Sequence, residues 1–456
     1  MIVSNGIDAY TGEPLVEISE DDLGELIAES PASADPLGEL GVKPRGALRW
    51  DVVPTDVAQA GWSIVFASDE SDEVREALEP LMRHRAAKVG DGHHRHEYFP
   101  GEDLVDWLAR YGVNPGTIDP SRIGYYVLLV GSPVRIPFEF QYLLDIEYAV
   151  GRVAFDSPEE YRRYADSVVA AETTGAVRDK VVAYWGTRHP WDRATKLSAD
   201  QLLRPLVPAD DGRQGLAERN GFRSAAVIGE QATKAALLGV LAGSNDLPGL
   251  LVTAGHGLGG LRADDPEQRP RHGALVTQDW NRGPAGPEVT VAGVDVAEAR
   301  VHGMIAFLFA CYGAGTPQLD DFPRRGAPAA TIATEPFVAC LPQKLLAHPE
   351  GGMLAVIGHV ERAWGYSITG AGGSQLQRFE DTFAQLINGV PVGHSMRMFN
   401  EAFAVLSAAL TLRLKVLADK PDSSPGTRRK LLTLWMERTD VQNYVVLGDP
   451  AVSLRY

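Results

Sequence analysis

From residue 61 onward, short apolar runs alternate with longer amphipathic segments. Apolar runs of this length are typical of buried strands, and the amphipathic segments have helical spacing. A regular alternation of the two indicates an α/β domain with a mainly parallel sheet, because parallel neighbours need a crossover between them. The predicted strands include GWSIVFAS, YYVLLVGSP, DKVVAYWG, AAVIGE, GLLVTAGHG, MIAFLFACYG and GMLAVIGHV, with one or two more in FEFQYLLDIEYAVGRVAF. The predicted helices include DEVREALEPLMRHR, EDLVDWLARYG, SPEEYRRYADSVVAAE, QATKAALLGVLAG and FVACLPQKLLAH.

Changes in composition along the chain predict three parts. Residues 1–60 are acidic, are broken by Pro and Gly and lack sustained apolar periodicity, so we interpret them as an N-terminal extension or packed arm. The polar stretch VPADDGRQG separates a first α/β subdomain, 61–215, from a second, 216–456. We therefore expect an α/β fold of mainly parallel sheets flanked by helices, with two subdomains side by side.

Charge and cysteine content exclude several classes of protein. The chain has 60 acidic and 43 basic residues and a net charge of -17, whereas nucleic-acid binding needs clustered Lys and Arg. No apolar run approaches the roughly 18 residues of a membrane span, and the start lacks a secretory signal pattern. We therefore expect a cytoplasmic protein with neither nucleic acid nor membrane as partner. Cys311 and Cys340 cannot form a disulfide framework and are expected to be free thiols.

Two of the predicted strands end on reactive side chains. GLLVTAGHG ends on His256 and Gly257, and MIAFLFACYGAG passes through Cys311. Ligands bind beyond the carboxyl ends of parallel strands, so both side chains are expected to face one crevice. Each residue alone is more often structural, Cys as a small core residue and His as a hydrogen-bonded side chain. Together they favour a thiol and imidazole pair.

The order of these segments resembles the caspase-like clan of cysteine peptidases, and within it the gingipain-type family, which has CHAT peptidases among its relatives. YYVLLVGSPVRIPFEFQYLLDIEYAVGR resembles the first subdomain of gingipain-type peptidases, and VVLGDPAVSLRY resembles their LGDP ending. The context ACYGA departs from the caspase signature Q-A-C-[RQG]-G, so caspase substrate preference does not carry over. The resemblance covers roughly residues 60–456. It implies a caspase-like fold and a bacterial-type cysteine endopeptidase that acts on proteins or peptides without a cofactor.

The chemistry of peptide hydrolysis fits these residues. Cys311 would supply the sulfur nucleophile, and His256 would protonate the leaving amine and later activate water. The resemblance implies an oxyanion hole built from the backbone N–H groups of Gly257 and Cys311. Asp279 and Trp280 lie between the two catalytic candidates in sequence and are candidates to line the cleft, with a surface turn as the alternative. The sequence does not single out a third residue that orients the imidazole.

Substrate specificity is expected to depend on the segment after the strand GMLAVIGHV, which in the relatives walls the pocket for the side chain before the cut. The resemblance implies Trp364 as an aromatic wall. A carboxylate of Glu361, Asp210 or Asp211 is a candidate partner for a Lys or Arg side chain of the substrate. Exposed carboxylates are usually only solvated, so a preference for basic residues is a hypothesis.

Other motifs indicate no metal or cofactor site. His93, His94 and His96 occur without an H-E-x-x-H motif or a Cys pair, which favours an exposed loop over a metal site. GYSITG, around Ser367, misses the G-x-S-x-G spacing of hydrolases. GHGLGG matches G-x-G-x-x-G, but a polar loop broken by Pro follows it where a dinucleotide site needs a helix. Asp449 is expected to form a turn, and Cys340 to pack in a helix.

Two further hypotheses concern activity and its control. The alternative to an enzyme is a catalytically silent caspase-like module that works as a scaffold or regulator. The acidic arm is expected to cover the cleft until it is removed or displaced, so that deleting residues 1–45 raises basal activity.

Overall fold

The computed structural model describes residues 2–29, 48–176, 178–322, 329–422 and 424–456. The strands of the first part are β1 (Ile2–Val3), β2 (Gly6–Asp8), β3 (Glu17–Ile18), β4 (Trp62–Ala67), β5 (His93–Tyr98), β6 (Tyr126–Val130), β7 (Ala149–Val153), β8 (Asp179–Gly186) and β9 (Arg223–Ile228). They are followed by β10 (Pro248–Ala254), β11 (Gly257–Gly259), β12 (Leu275–Val276), β13 (Thr290–Val291), β14 (Ile305–Phe309), β15 (Gly315–Thr316), β16 (Phe337–Val338), β17 (Ala355–His359), β18 (Thr369–Gly370), β19 (Gly373–Ser374) and β20 (Tyr444–Gly448).

A ten-stranded sheet, in the order β5-β4-β6-β7-β20-β17-β14-β10-β8-β9, forms the centre of the fold. Neighbouring strands are parallel from β5 to β20 and again from β17 to β9. Strands β17 and β20 pair antiparallel where these two halves meet, so the halves run in opposite directions. The structure confirms the predicted α/β class with a mainly parallel sheet flanked by helices.

Helices cover the sheet, as the buried central strands require. They are α1 (Glu20–Glu29), α2 (Val57–Ala60), α3 (Asp72–Ala77), α4 (Glu79–Val89), α5 (Leu104–Arg110), α6 (Phe138–Leu144), α7 (Pro158–Ala170), α8 (Arg193–Leu197) and α9 (Arg204–Leu206). The later helices are α10 (Leu216–Arg219), α11 (Lys234–Leu241), α12 (Gln268–Arg271), α13 (Cys340–Leu346), α14 (Leu376–Ile387), α15 (Val392–Ser395), α16 (Arg397–Asp419) and α17 (Pro425–Gln442). Side chains of the expected type cap several of them, including Ser157 before α7 and Ser424 before α17.

The sequence prediction allowed one or two strands in FEFQYLLDIEYAVGRVAF, and the option of two strands is wrong. The first half of this segment forms the helix α6, and only residues 149–153 form a strand, β7. The physical reason is topological: β6 and β7 are adjacent and parallel, so the segment between them has to cross over from one end of the sheet to the other.

The expected loop at His93, His94 and His96 is also wrong. These residues lie in β5, the edge strand beside β4. His96 packs against the rings of Trp107 and Tyr111, and burial lowers its pKa to about 4. Within the described residues, no group of three or more His, Cys, Asp or Glu side chains is arranged to hold a metal ion.

The N-terminal 60 residues are packed onto the rest of the chain where the structure describes them. Residues 2–18 form a hairpin with β1 antiparallel to β3, and β2 joins a small four-stranded sheet in the order β13-β12-β11-β2. Helix α1 packs against α17. Residues 30–47 of the predicted arm lie outside the described residues. The part of the predicted 1–45 deletion from residue 30 onward is therefore outside them as well.

The predicted boundary at residue 215 stays a prediction. The sheet is continuous across it, and β8, which precedes it, pairs with β10 and β9 of the second half. In the other direction β20, near the end of the chain, pairs with β7 of the first half. Of the helices in the described ranges, none combines the length and the apolar character that a membrane crossing requires.

Candidate active site

His256 and Cys311 leave neighbouring strands at the same level. Ala254 at the end of β10 pairs with Phe309 at the end of β14, and each reactive residue follows two positions later. The amide of Gly255 also donates to the Phe309 carbonyl, at 3.1 Å. Since the strands are parallel, their carboxyl ends meet at one edge of the sheet, as expected from the sequence.

Asp192 is the residue that orients His256, and the sequence analysis missed it. It follows β8, the strand on the other side of β10, and its Oδ2 lies 2.8 Å from His256 Nε2. The same carboxylate caps α8, accepting from the amides of Ala194 and Thr195. Burial raises the Asp192 pKa, but the charge of His256 and these hydrogen bonds outweigh it and hold the pKa below its usual range. Asp192 is therefore an anion that fixes one face of the imidazole.

The other ring nitrogen of His256 is left without a partner. Its side chain is fully buried, and Nδ1 has no hydrogen-bond partner among the described residues. Trp280 packs edge-on against the imidazole, with ring centroids 6.0 Å apart, and is itself buried. Trp280 also contacts His189, whose pKa burial and the neighbouring His256 lower to about 4. Aromatic packing and Asp192 together leave the ring little freedom to rotate.

The Cys311 thiol lies in a closed environment. Cys311 is 0% exposed, and its Sγ accepts from the amide of Ala363 at 3.2 Å and lies 3.7 Å from that residue's carbonyl oxygen. Burial raises the pKa of the thiol, with the Ala363 contact and Arg362 opposing this effect. The following residue, Tyr312, has a φ of 57°, so the chain turns sharply directly after the nucleophile candidate. In this covered state the cysteine is a neutral thiol.

Gly257 brings the two predicted oxyanion donors together. A Cβ at this position would collide with the carbonyl group of Cys311 and would lie 2.9 Å from the Cys311 amide nitrogen. Only glycine permits this close approach of two backbones. The Gly257 amide donates to the carbonyl oxygen of Asn5, at 3.0 Å.

The N-terminal hairpin supplies the cover over Cys311. Strand β2 pairs parallel with β11, and a Cβ on Gly6 would lie 2.9 Å from Cys311 Sγ. Leu15, from the second arm of the hairpin, packs against Cys311, Tyr312 and Ala363. The residues that flank the thiol therefore come from sequence positions far apart.

Trp364 directly follows Ala363, the residue that hydrogen-bonds to the thiol, but its ring packs in a separate apolar cluster. It is buried and stacks on Phe322, with ring centroids 5.8 Å apart. Ile2 of the N-terminal hairpin belongs to the same cluster, together with Trp435. Trp364 thus contacts the region occupied by the beginning of the hairpin.

The candidate carboxylates lie in three different settings. Glu361 is buried and forms ion pairs with Arg362, which also binds Asp320 at 2.7 Å. Burial raises the Glu361 pKa to about 8, with Arg362 opposing. Glu361 thus already has a cationic partner within the chain.

Asp210 and Asp211 are exposed in the loop between α9 and α10. That loop is followed by α10 and then by β9, the edge strand beside β8. Asp279 accepts from the Lys234 amide at 2.6 Å, at the start of α11. Among the contacts of the described residues, none joins Asp210, Asp211 or Asp279 to the Cys311 thiol.

The remaining candidates have structural partners. Ser367 is buried, its amide donates to Asp440 and its hydroxyl lies 3.1 Å from the Tyr444 hydroxyl. Cys340 is the first residue of α13 and is partly exposed. Asp449 accepts from the Ala451 amide, which is the expected turn, and also binds Arg85 at 2.7 Å.

Comparison with known proteins gives few matches. No protein-family model matches the chain, and no curated protein matches it. A solved structure described as "Structure of Protease" is similar with a TM-score of 0.48 and 13% identity, over 87% of this chain and 78% of that chain.

Proposed function

We propose that this protein is a cysteine peptidase in which Cys311, His256 and Asp192 form a catalytic triad. The observation that supports this proposal most directly is the order of the strand ends. Cys311 follows β14, His256 follows β10 and Asp192 follows β8, and these three strands are neighbours in one parallel half-sheet. A nucleophile, a base and a group that orients the base are the parts that acyl transfer needs, in that order.

The triad performs hydrolysis in two steps. Cys311 Sγ attacks the carbonyl carbon of the peptide bond, its proton passes to His256 Nδ1, and the C–N bond breaks as the same proton moves to the leaving amine. The acyl group is then held on Sγ as a thioester. His256 next takes a proton from water, the hydroxide attacks the thioester, and the acid leaves while Sγ regains its proton.

The amides of Gly257 and Cys311 would hold the oxyanion in both steps, and loss of one such donor typically costs about 10²- to 10³-fold in kcat. Asp192 keeps the proton of the imidazole on Nε2 and so leaves Nδ1 free for transfer. We place the chain with the caspase-like peptidases, near the gingipain type, on the motifs quoted above. Its expected partner is a protein or peptide substrate.

Cleavage assays with single-site variants test this proposal. In chains whose cleft has been opened as described below, Cys311→Ala and His256→Ala should abolish hydrolysis of a peptide library, while Ser367→Ala should retain it. The matched control is Cys340→Ala, which removes the other thiol and should hydrolyse the library as fast as the opened parent chain. Hydrolysis that survives Cys311→Ala would refute the proposal.

The burial of Cys311 favours one alternative, a silent caspase-like scaffold. Binding of a partner without hydrolysis, in chains whose cleft has been opened as described below, would establish that alternative.

A further inference from the structure

The backbone at Asn5 and Gly6 is held on both sides by groups of the candidate active site. The Asn5 amide donates to the Ala363 carbonyl at 3.1 Å, and the Asn5 carbonyl accepts from the Gly257 amide at 3.0 Å. The Ala363 amide donates to Cys311 Sγ, and Gly257 is one of the two predicted oxyanion donors. The carbonyl group of Asn5 therefore occupies the place that the proposed mechanism reserves for the carbonyl group under attack.

The hairpin continues along the site in both directions. After Gly6, the backbone pairs with β11 through Ile7 and Asp8. Before Asn5, the strand reaches Ile2, which packs in the cluster that contains Trp364. An extended strand that hydrogen-bonds to both walls of a cleft is the way in which peptides are recognised by strand addition.

The other arm of the hairpin holds this strand in place. The amide of Ser4 donates to the Val16 carbonyl, and the amide of Leu15 donates to the Gly6 carbonyl at 2.9 Å. Ile2, Arg193 and Tyr366 line part of a cavity of about 330 Å³.

We propose that residues 2–8 inhibit the protein by lying in the cleft as a substrate-like strand, with the Asn5–Gly6 peptide bond placed at Cys311. This inference rests on the proposed function and specifies its control and its substrate class. Displacement of the strand exposes the thiol and frees the Gly257 amide. In the same register the cleft takes an uncharged polar residue before the cleaved bond, in place of Asn5.

The electrostatics near Asn5 fit an uncharged side chain. Asn5 is 3% exposed, so the side chain at this position is almost entirely removed from water. A buried cation there would need an unpaired carboxylate. Glu361, the candidate carboxylate closest in sequence to Ala363, is already paired with Arg362.

Alkylation of the full-length chain tests the covering. Gly6→Val places a branched side chain against Cys311 Sγ and Leu15, and Asn5→Pro removes the amide that donates to Ala363; both should displace the strand. Iodoacetamide modification of Cys311, followed by mass spectrometry of the Cys311 peptide, should be about tenfold or more faster in both variants than in the wild type. Gly372→Val, at an exposed glycine where a Cβ would meet nothing within 4 Å, should leave the rate unchanged.

Melting temperatures identify a variant that fails to fold, and the other variant then decides the result. An unchanged alkylation rate in a folded variant overturns the covering, whatever the peptidase assay shows. Faster alkylation without hydrolysis of any peptide supports the covering and refutes the proposed function instead.

Peptide hydrolysis by the Gly6→Val chain tests the register. Coumarin amides of Ile-Val-Ser-Asn, Ile-Val-Ser-Arg and Ile-Val-Ser-Asp differ only at the residue before the cleaved bond. The Asn peptide should have a kcat/KM about tenfold or more above the other two. A preference for the Arg or the Asp peptide would overturn the assigned register.

Discussion

Asp192 shows how one side chain can serve both a helix and a catalytic base. Its two carboxylate oxygens accept from the first amides of α8, and one of them also faces His256 Nε2. An Asp before a helix is an ordinary capping residue, so its sequence context gives no sign of a second role. The signal that could have found it is its position soon after β8, had β8 been placed beside β10.

Replacing Asp192 tests whether the carboxylate acts on His256. In the Gly6→Val chain, Asp192→Asn should lower kcat by roughly 10²- to 10⁴-fold with little change in KM, because Asn can cap the helix but cannot stabilise the imidazolium. Asp103→Asn is a matched control, because the Asp103 carboxylate also caps a helix, α5. That helix follows β5, which belongs to the other half of the sheet. Equal kcat values for the two variants would show that Asp192 only caps its helix.

A residue of the site can be predicted from sequence when its own neighbours in the chain carry the pattern that identifies it. His256 and Cys311 could be predicted because each follows its own apolar strand. Asn5 could not, because it reaches the cleft through a pairing with residues 257–259 that no local pattern encodes. The setting of Glu361 could not be predicted for a related reason: it depends on ion pairs with Arg362 and Asp320, whose geometry a sequence does not show.

At the level of elements, the strands were more predictable than their connections. The buried strands β4, β6, β10, β14 and β17 coincide with the predicted apolar runs, since a strand buried on both faces is apolar throughout. Helix α6 was missed because Phe138 and Phe140 imitate the alternation of a strand. Pairing order, which places β20 between β7 and β17, is a property of tertiary packing.

The junction between β10 and β14 depends on Gly257. Gly257→Ala should force the backbones of Gly257 and Cys311 apart, because the new methyl group would occupy the space of the Cys311 carbonyl. We expect a destabilisation of about 1–3 kcal/mol, typical of overpacking, and a loss of peptide hydrolysis. Thermal unfolding and the coumarin assay measure both effects. Gly426→Ala, where the added methyl group meets nothing within 4 Å, should change neither, and similar behaviour of the two variants would contradict the close packing.

On the scale of the whole molecule, a buried ion network ties the end of the chain to the first half of the sheet. Arg85 of α4 binds Asp449, directly after β20, and Glu172, two residues after the end of α7, each at 2.7 Å. Trp62 of β4 also donates to Asp449, at 2.9 Å. The LGDP ending is thus a tertiary contact as well as a turn, and it fixes β20 at the centre of the sheet.

Breaking this network should destabilise the whole molecule in a pH-dependent way. Arg85→Met leaves two carboxylates buried and should lower the free energy of unfolding at pH 7 by about 3–5 kcal/mol. Burial raises the Glu172 pKa, but Arg85 and His84 outweigh it, so the folded pKa is depressed. Its contribution is therefore complete above the unfolded pKa of about 4.3 and is lost as the pH falls toward the folded value.

Urea unfolding of wild type and Arg85→Met between pH 7 and pH 3 should consequently show a stability difference that shrinks as the pH falls, because the carboxylates left buried without Arg85 become protonated and the wild type loses its ion pairs. Arg163→Met is the matched control, since Arg163 pairs with Glu159 on an exposed helix face. Exposed pairs of this kind contribute about 0.3–0.5 kcal/mol. A difference for Arg85→Met that is equally small, or that grows as the pH falls, would show that the network does not hold the two halves together.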